Sequence, residues 1–277
     1  MLNSLLLHLN TYDEDPATLP LIEKLLSTQR AKVRCLAITD TRQIQSLAQN
    51  GEAALYAAVE AEQLAAKTGR QKVLLEEFAA RVTQSGIDFK VRCLRGNPLD
   101  LIPPDARFHD LLVTTWLGLV GREEKAKTRT ICLTSLRRFA EQTGRPLLIL
   151  PQTQQPIQRV ILLYDGSLAA ERAVKAYFHV HLWPTAELRL LATGRSEKEA
   201  KIHLQELKGY LHPLLTEFES GYVYGSARQS LVNYLDNWEA DLVVLGISPR
   251  PRLFARLRPT AWERILRQTK KSLFVSA

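Results

Sequence analysis

The chain has 277 residues, of which 45% are hydrophobic and 24% charged, and it carries a formal net charge of +8 with a pI near 9.5. This composition is typical of a globular protein with two ordinary domains or one large one, and it excludes a disordered chain. No apolar run approaches the roughly 18 residues of a membrane span, and the apolar N-terminus lacks the basic start and cleavage site of a signal peptide.

The first half of the chain alternates short apolar runs with helical patterns, which predicts a parallel sheet covered by helices. Turn residues at Asp13-Glu14-Asp15-Pro16 separate the first strand from the first helix. The predicted strands are residues 3–10, 33–39, 89–94, 110–115 and 146–150; the predicted helices are 17–30, 52–67, 72–85, a short one around Leu99, and 134–143.

A polar, Gln-rich segment flanked by Pro151 and Pro156 is typical of a linker, and the same pattern of elements restarts after it. We therefore predict a first domain at 1–151, a linker at 152–157 and a second domain at 158–277. The predicted strands of the second domain are 160–164, 188–192, 222–224, 241–246 and 272–275; the predicted helices are 169–181, 197–219, 230–238 and 260–267. An interruption of the 197–219 helix at Pro213 remains open.

The last strand–loop–helix–strand unit is the most informative stretch for function. Asp241 opens an apolar run that ends at Gly246, and Thr260 is a plausible N-cap for the helix that follows. In open parallel sheets ligands bind outside the carboxyl ends of the strands, where the loop from 246 to 260 is expected to lie.

Each half resembles a universal stress protein domain, and the second half does so more closely. Three features carry the resemblance: Asp165-Gly166-Ser167 before an Ala-rich helix, Gly225 or Gly96-Asn97-Pro98 after the third strand, and a fourth strand opened by Asp241 or Asp110. The resemblance implies an α/β fold of two tandem, doubly wound, five-stranded parallel sheets of order 3-2-1-4-5. It also implies that the two Rossmann-like halves pack as a pseudo-dimer through their last strands.

Nucleotide-binding members of that family carry Gly-x-x-Gly, nine residues, then Gly-Ser or Gly-Thr. The second half keeps this spacing, but Pro249 and Pro259 replace two of the glycines, and proline offers no N–H to a phosphate. In the first half, Asn10 replaces the adenine-side aspartate and Thr115 the first glycine, so both sites depart from the pattern. The resemblance places candidate ligand contacts at Asp165, Gly246, Arg250, Thr260 and Ala261.

Three functions remain open from the sequence. The first is a cytoplasmic, non-catalytic regulatory module in the stress response, with a degenerate nucleotide site and a protein partner or a homodimer. The second is an ATP or adenine-nucleotide binder, at most a slow ATPase, in which arginines replace the lost backbone donors. Asp165 also has a structural interpretation, as a residue that caps the next helix.

The third function is binding of an anion or nucleic acid through a basic surface at 250–271. Between Pro249 and Lys271 the only acidic residue is Glu263. The basic residues of this segment are Arg250, Arg252, Arg256, Arg258, Arg264, Arg267, Lys270 and Lys271. The sequence contains no P-loop, HExxH or GxSxG motif, and its scattered histidines do not predict a metal site.

Overall fold

The computed structural model describes residues 2–10, 18–27, 31–40, 69, 72–116, 129–151, 156–214, 218–225, 228–247 and 271–277. Its first half contains these strands: β1 Ser4–Asn10, β2 Lys32–Asp40, β3 Phe89–Gly96, β4 Leu111–Thr115 and β5 Leu147–Leu150. The helices of this half are α1 Thr18–Ser27, α2 at 72–84, α3 Pro98–Ala106 and α4 Arg129–Thr143. The predicted helix at 52–67 lies outside the described residues.

The second half repeats the arrangement. Its strands are β6 Arg159–Tyr164, β7 Glu187–Gly194, β8 Glu219–Tyr224, β9 Leu242–Gly246 and β10 Ser272–Ser276. Its helices are α5 Leu168–Val180, α6 Glu197–Leu211 and α7 Arg228–Asn237. The predicted helix at 260–267 lies outside the described residues.

The helix predicted over 197–219 ends just before Pro213, the interruption that the sequence left open, and its continuation to 219 is wrong. Helix α6 stops at Leu211, and Glu219 is the first residue of β8. The last helical bond runs from the N–H of His212 to the carbonyl of Lys208. Pro213 follows directly, and because it has no N–H it cannot extend the hydrogen-bond ladder.

The ten strands found among the described residues form one sheet in the order β3-β2-β1-β4-β5-β10-β9-β6-β7-β8. Within each half the strands are parallel and follow the predicted order 3-2-1-4-5. The halves meet where β10 runs antiparallel to β5, with Phe274 opposite Leu148. The predicted α/β architecture, joined through the last strands, is therefore confirmed, while the domain boundaries stay a prediction.

Helices cover both faces of the sheet, which explains why the central strands read as uninterrupted apolar runs. One buried cluster lies under α1, α2, α5 and α6, and the other lies under α3, α4 and α7. Each cluster draws residues from both halves, so two continuous apolar layers cross the β5–β10 junction.

The two aspartates that precede the fourth strands of the halves perform the same structural task. Asp110 accepts hydrogen bonds from the backbone N–H groups of Asn3 and Ser4, at 2.9 and 3.0 Å. Asp241 accepts from the N–H groups of Gln158 and Arg159, both at 2.9 Å. Each carboxylate thus ties the start of its own half's first strand to the start of the fourth, at the amino edge of the sheet.

These hydrogen bonds affect the charge state of Asp110. Burial by itself would raise the pKa of this carboxyl, but the bonds from Asn3 and Ser4 and the positive charge of Arg145 outweigh burial and lower it. Asp110 and Asp241 lie at the opposite edge from the expected ligand site, so their role is to hold the strands together.

Candidate site at the carboxyl edge of the second half

The candidate site lies where β6 and β9 diverge. These neighbouring strands are parallel, yet the chain continues from β6 to β7 on one side and from β9 to β10 on the other. Such a switch point opens a crevice beyond the carboxyl ends of the strands. Asp165 directly follows β6 and Gly246 ends β9, so the fold brings two predicted site residues to adjacent strand ends. The other three, Arg250, Thr260 and Ala261, lie outside the described residues.

Asp165 shapes the turn that leads from β6 into α5. Its Oδ1 atom accepts the backbone N–H of Ser167 at 3.1 Å, and its side chain is exposed. Ser167 is the N-cap residue of α5, because its hydroxyl oxygen accepts the N–H of Ala170 at 3.2 Å. Asp165 therefore supports the capping residue without being the cap, and its exposed carboxylate retains capacity to accept hydrogen bonds from a ligand.

Gly246 permits a very close approach between β9 and the start of α5. A Cβ atom at this position would lie 2.1 Å from the nitrogen of Ala170 and 2.2 Å from the carbonyl carbon of Ala169. The helix offers only small buried side chains here, Ala169, Ala170 and Ala173, which lets its backbone reach the strand. Gly246 is thus required for packing, whatever else it contacts.

His203, on α6, lies beneath the same turn and was not singled out by the sequence analysis. Its Nδ1 is 2.7 Å from the carbonyl oxygen of Thr193, which must accept the bond, so Nδ1 carries the proton. Its Nε2 faces Gly166, where an added Cβ would lie 2.3 Å away. Gly166 has φ of +75°. A side chain there would be both strained and in collision with the imidazole.

A signal for His203 exists in the sequence. The buried stripe of α6 contains Ala200, Leu204, Leu207 and Leu211. Position 203 falls on that stripe by helical spacing, so a polar side chain there must find a partner at the sheet.

Tyr164, the last residue of β6, packs against His203 next to this turn. Its ring packs edge-to-face on His203 with the centroids 5.9 Å apart, and its hydroxyl donates to Glu206 at 3.4 Å. Burial raises the pKa of Tyr164, and the nearby carboxylates of Glu206, Glu171 and Asp165 raise it further. The carboxyl end of β6 is therefore surrounded by carboxylates that keep this phenol protonated.

The equivalent edge of the first half has a different chemistry. His8 of β1 is fully buried, and its Nδ1 lies 2.8 Å from the hydroxyl oxygen of Thr114 on β4. Thr115, which occupies the place of Gly246, is also buried. The first half thus fills its strand ends with a polar pair and a β-branched side chain, while Asn10 ends β1 where Asp165 follows β6.

Of the basic surface predicted at 250–271, the structure describes Lys271. Its Nζ lies 3.5 Å from Oδ1 of Asp236, and its side chain is 19% exposed. Lys271 therefore contributes to the packing of α7 beside β10. The remaining basic residues of that segment lie outside the described residues.

Within the described ranges, no group of three or more His, Cys, Asp or Glu side chains is placed to hold a metal ion, and no helix is long and apolar enough to cross a bilayer.

Comparisons with known proteins agree with the fold. No protein-family model matches the chain. The chain is 23% identical over 260 residues to a universal stress protein of Synechocystis, which covers 88% of this chain and 89% of that protein. The crystal structure of a universal stress protein from Archaeoglobus fulgidus matches with a TM-score of 0.67 at 16% identity, over 99% of this chain and 96% of that one.

The same architecture occurs in another setting. The cytoplasmic domain of a prokaryotic cation chloride cotransporter matches with a TM-score of 0.54 at 13% identity, over 100% of this chain and 96% of that domain. The fold by itself therefore does not fix the function, which must be argued from the site.

Proposed function

This chain resembles the universal stress proteins in sequence and in fold over nearly its whole length, and we propose that it is a non-catalytic regulatory module of the cytoplasmic stress response. In this proposal the second half holds a degenerate adenine-nucleotide site and the first half holds none. The nucleotide controls the state of the module and is not turned over at a significant rate.

One observation supports the proposal most strongly. At the switch point of the second half, an exposed carboxylate, Asp165, is fixed by the N–H of Ser167 next to the end of β9. A carboxylate in that place can accept hydrogen bonds from the sugar hydroxyls or amino group of a nucleotide. The matching region of the first half contains the buried His8–Thr114 pair.

Part of the donor capacity at the start of α5 is already used within the turn. The N–H of Ala170 is bonded to the hydroxyl of Ser167, and the N–H of Glu171 to its carbonyl. Gly246 is packed against the same turn of helix. This favours the guanidinium groups of the 250–258 segment, beginning with Arg250, as the groups that bind the phosphates.

Calorimetry of ATP and ADP binding to nucleotide-free protein tests the proposal, with Asp165→Ala, Asp165→Asn and a matched control. Asp88→Ala is a suitable control, because Asp88 is an exposed carboxylate at the amino end of β3. We expect Asp165→Ala to weaken ATP binding by about 10-fold or more, the usual effect of losing hydrogen bonds to a charged group.

Asp165→Asn keeps an oxygen that accepts the N–H of Ser167 but removes the charge, so it separates support of the turn from contact with the ligand. The control variant should bind like the unaltered protein. If ATP does not bind at millimolar concentration, the nucleotide site is refuted for both halves. The basic 250–271 segment then becomes the site to test, with nucleic acid as the probe and the salt dependence of affinity as the readout.

A further inference from the structure

The two outer edges of the ten-stranded sheet are unequal. The sheet ends at β3 on one side and at β8 on the other. Strand β3 exposes the basic side chains of Lys90, Arg92 and Arg95 along its length. Charged residues on an edge strand oppose pairing with another chain. Strand β8 has a single charged residue, Glu219 at its start, and from Ser220 to Tyr224 it has neither a charge nor a proline.

The outward-facing backbone groups of β8 can be identified from its register. The N–H of Gly225 donates to the carbonyl of Gly194 at 3.2 Å, so position 225 faces β7. Because successive residues of a strand face opposite sides, the N–H and C=O groups of Ser220, Tyr222 and Tyr224 face away from β7. None of the described residues pairs with that side of β8.

The side chains at this edge are large, ordered and accessible. Tyr222 is 36% exposed and Tyr224 45% exposed, and their rings stack with centroids 6.2 Å apart. The hydroxyl of Tyr222 donates to Glu197 at 2.9 Å, and the ammonium group of Lys201 lies 5.5 Å from the centre of the Tyr222 ring. An exposed aromatic pair that is already held in place loses little side-chain entropy when a partner covers it.

We propose that β8 is the docking edge for β8 of a second copy of this chain, paired antiparallel about a two-fold axis at Tyr222. This register places Tyr222 opposite its own copy and Ser220 opposite Tyr224. Three outward-facing residues on each strand then form about six backbone hydrogen bonds, since each hydrogen-bonded antiparallel pair exchanges two. The result is one sheet that continues through both copies.

The charges at the two ends of β8 favour a second copy as the occupant. Glu219, with its side chain 61% exposed, lies at the start of β8 and forms an ion pair with Arg189. Arg195, 87% exposed, follows Gly194, lies beside the other end and is 3.5 Å from Glu199. In an antiparallel self-pair the acidic end of each copy meets the basic end of the other, twice over by symmetry. A parallel pair would bring like ends together.

The chain already uses this type of junction internally. β5 and β10 are equivalent last strands of the two halves, and they join antiparallel to make the ten-stranded sheet. Pairing of β8 with β8 of a second copy would form another antiparallel junction, at the sheet edge that lacks charged side chains between Ser220 and Tyr224.

Sedimentation velocity over a concentration series tests the proposal, comparing unaltered protein, Tyr222→Lys and Tyr210→Lys. Tyr210 is the matched control, because it is a tyrosine of α6 with a similar exposure of 40%. We expect the unaltered protein and Tyr210→Lys to reach twice the monomer mass of 31.3 kDa. Tyr222→Lys should weaken the dimer at least 10-fold, because it places two ammonium groups opposite each other.

A protein that stays monomeric up to about 1 mM, the weak limit of useful association, overturns the proposal. A dimer that Tyr222→Lys leaves unchanged also overturns it, since another surface must then be responsible.

Covalent trapping checks the register without relying on a disruptive variant. Tyr222→Cys, made in a Cys93→Ser background to remove the exposed thiol of β3, is oxidised with diamide and run without reductant. Opposed residues of a hydrogen-bonded antiparallel pair have Cα atoms about 5.5 Å apart, within reach of a disulfide. We expect a covalent dimer from Tyr222→Cys and none from Tyr210→Cys. A dimer in solution that gives no cross-link at position 222 overturns the pairing.

Discussion

At the carboxyl edge of the first half, His8 and Thr114 bury a hydrogen-bonded pair between β1 and β4. At the equivalent places between β6 and β9, the second half has Leu163 and Leu245, both buried and apolar. The strand order is the same in both halves, so the sheet does not require either choice. The difference shows that the two halves use different side chains at equivalent strand ends, and among the described residues the second half has the exposed carboxylate of Asp165 beside its switch point.

A second contrast concerns how the first helix meets the fourth strand. Gly246 lets the backbone of α5 lie directly on the end of β9, whereas the first half has the buried side chain of Thr115 at that place. Close packing in the second half therefore depends on the absence of one methyl group.

The largest expected effect is that of Gly246→Ala. The new Cβ would lie within 2.6 Å of three backbone atoms of α5, which cannot move without shifting the helix. We expect the free energy of unfolding to fall by about 3–5 kcal/mol. Urea denaturation measures this, with Gly209→Ala as the control.

Gly209 lies within α6 and has no neighbour within 4 Å of an added Cβ, so its replacement should raise stability by about 0.5–1 kcal/mol. A change for Gly246→Ala as small as that for Gly209→Ala would show that helix α5 tolerates displacement. Thr115→Gly should be much milder than Gly246→Ala.

An intermediate effect is expected from the strand-tying aspartate of the first half. Asp110→Asn removes a charged acceptor from two backbone N–H groups, and should cost about 2–3 kcal/mol at neutral pH. Because the folded state lowers the pKa of Asp110 below its ordinary value of 3.8, its contribution is present above that pH and is lost as the pH falls through the folded pKa.

The free energies of unfolding of Asp110→Asn and the unaltered protein, measured by denaturation between about pH 7 and pH 2, should therefore become equal as the pH falls. Asp88→Asn is the control, since that exposed carboxylate makes no such bonds among the described residues. A constant difference between the curves over the whole pH range would contradict the proposed role of the charge.

The smallest expected effect comes from making the first half resemble the second. Thr114→Leu alone removes a hydrogen bond from a buried imidazole, and His8→Leu alone removes one of the two hydrogen-bond partners of the buried hydroxyl of Thr114, which also donates to the carbonyl of Thr115. Each should lower the free energy of unfolding by about 1–3 kcal/mol, while the double variant should recover about 1 kcal/mol relative to their sum. Strict additivity in a double-mutant cycle would refute the coupling of the two side chains.

The sequence predicted the framework well because the framework depends on long apolar runs. Runs such as Leu242–Gly246 and Leu147–Leu150 can be satisfied only in a sheet covered on both faces, and their repetition predicts the two halves. Helical composition continues past Pro213 to 219, yet α6 ends just before that proline, where the sequence left an interruption open.

The site was less predictable, because its residues have two kinds of role that composition does not separate. Gly246 fits a phosphate loop by spacing, but its packing role follows from the approach of α5, a contact distant in sequence. His203 and Gly166 are linked across α6 and the β6–α5 turn, and no local pattern encodes that contact. Asp165 has an exposed carboxylate at the end of β6, and its contact with a ligand stays a prediction.

The antiparallel junction of β5 and β10 decides where the carboxyl ends of the strands lie. Since all strands within a half are parallel and the halves run in opposite directions, the two carboxyl edges lie on opposite sides of the molecule. The end of β6 beside Asp165 is thus remote from the carboxyl ends of β1 and β4. Under the proposed function, a nucleotide bound beside Asp165 would leave the opposite edge free to carry a separate recognition surface.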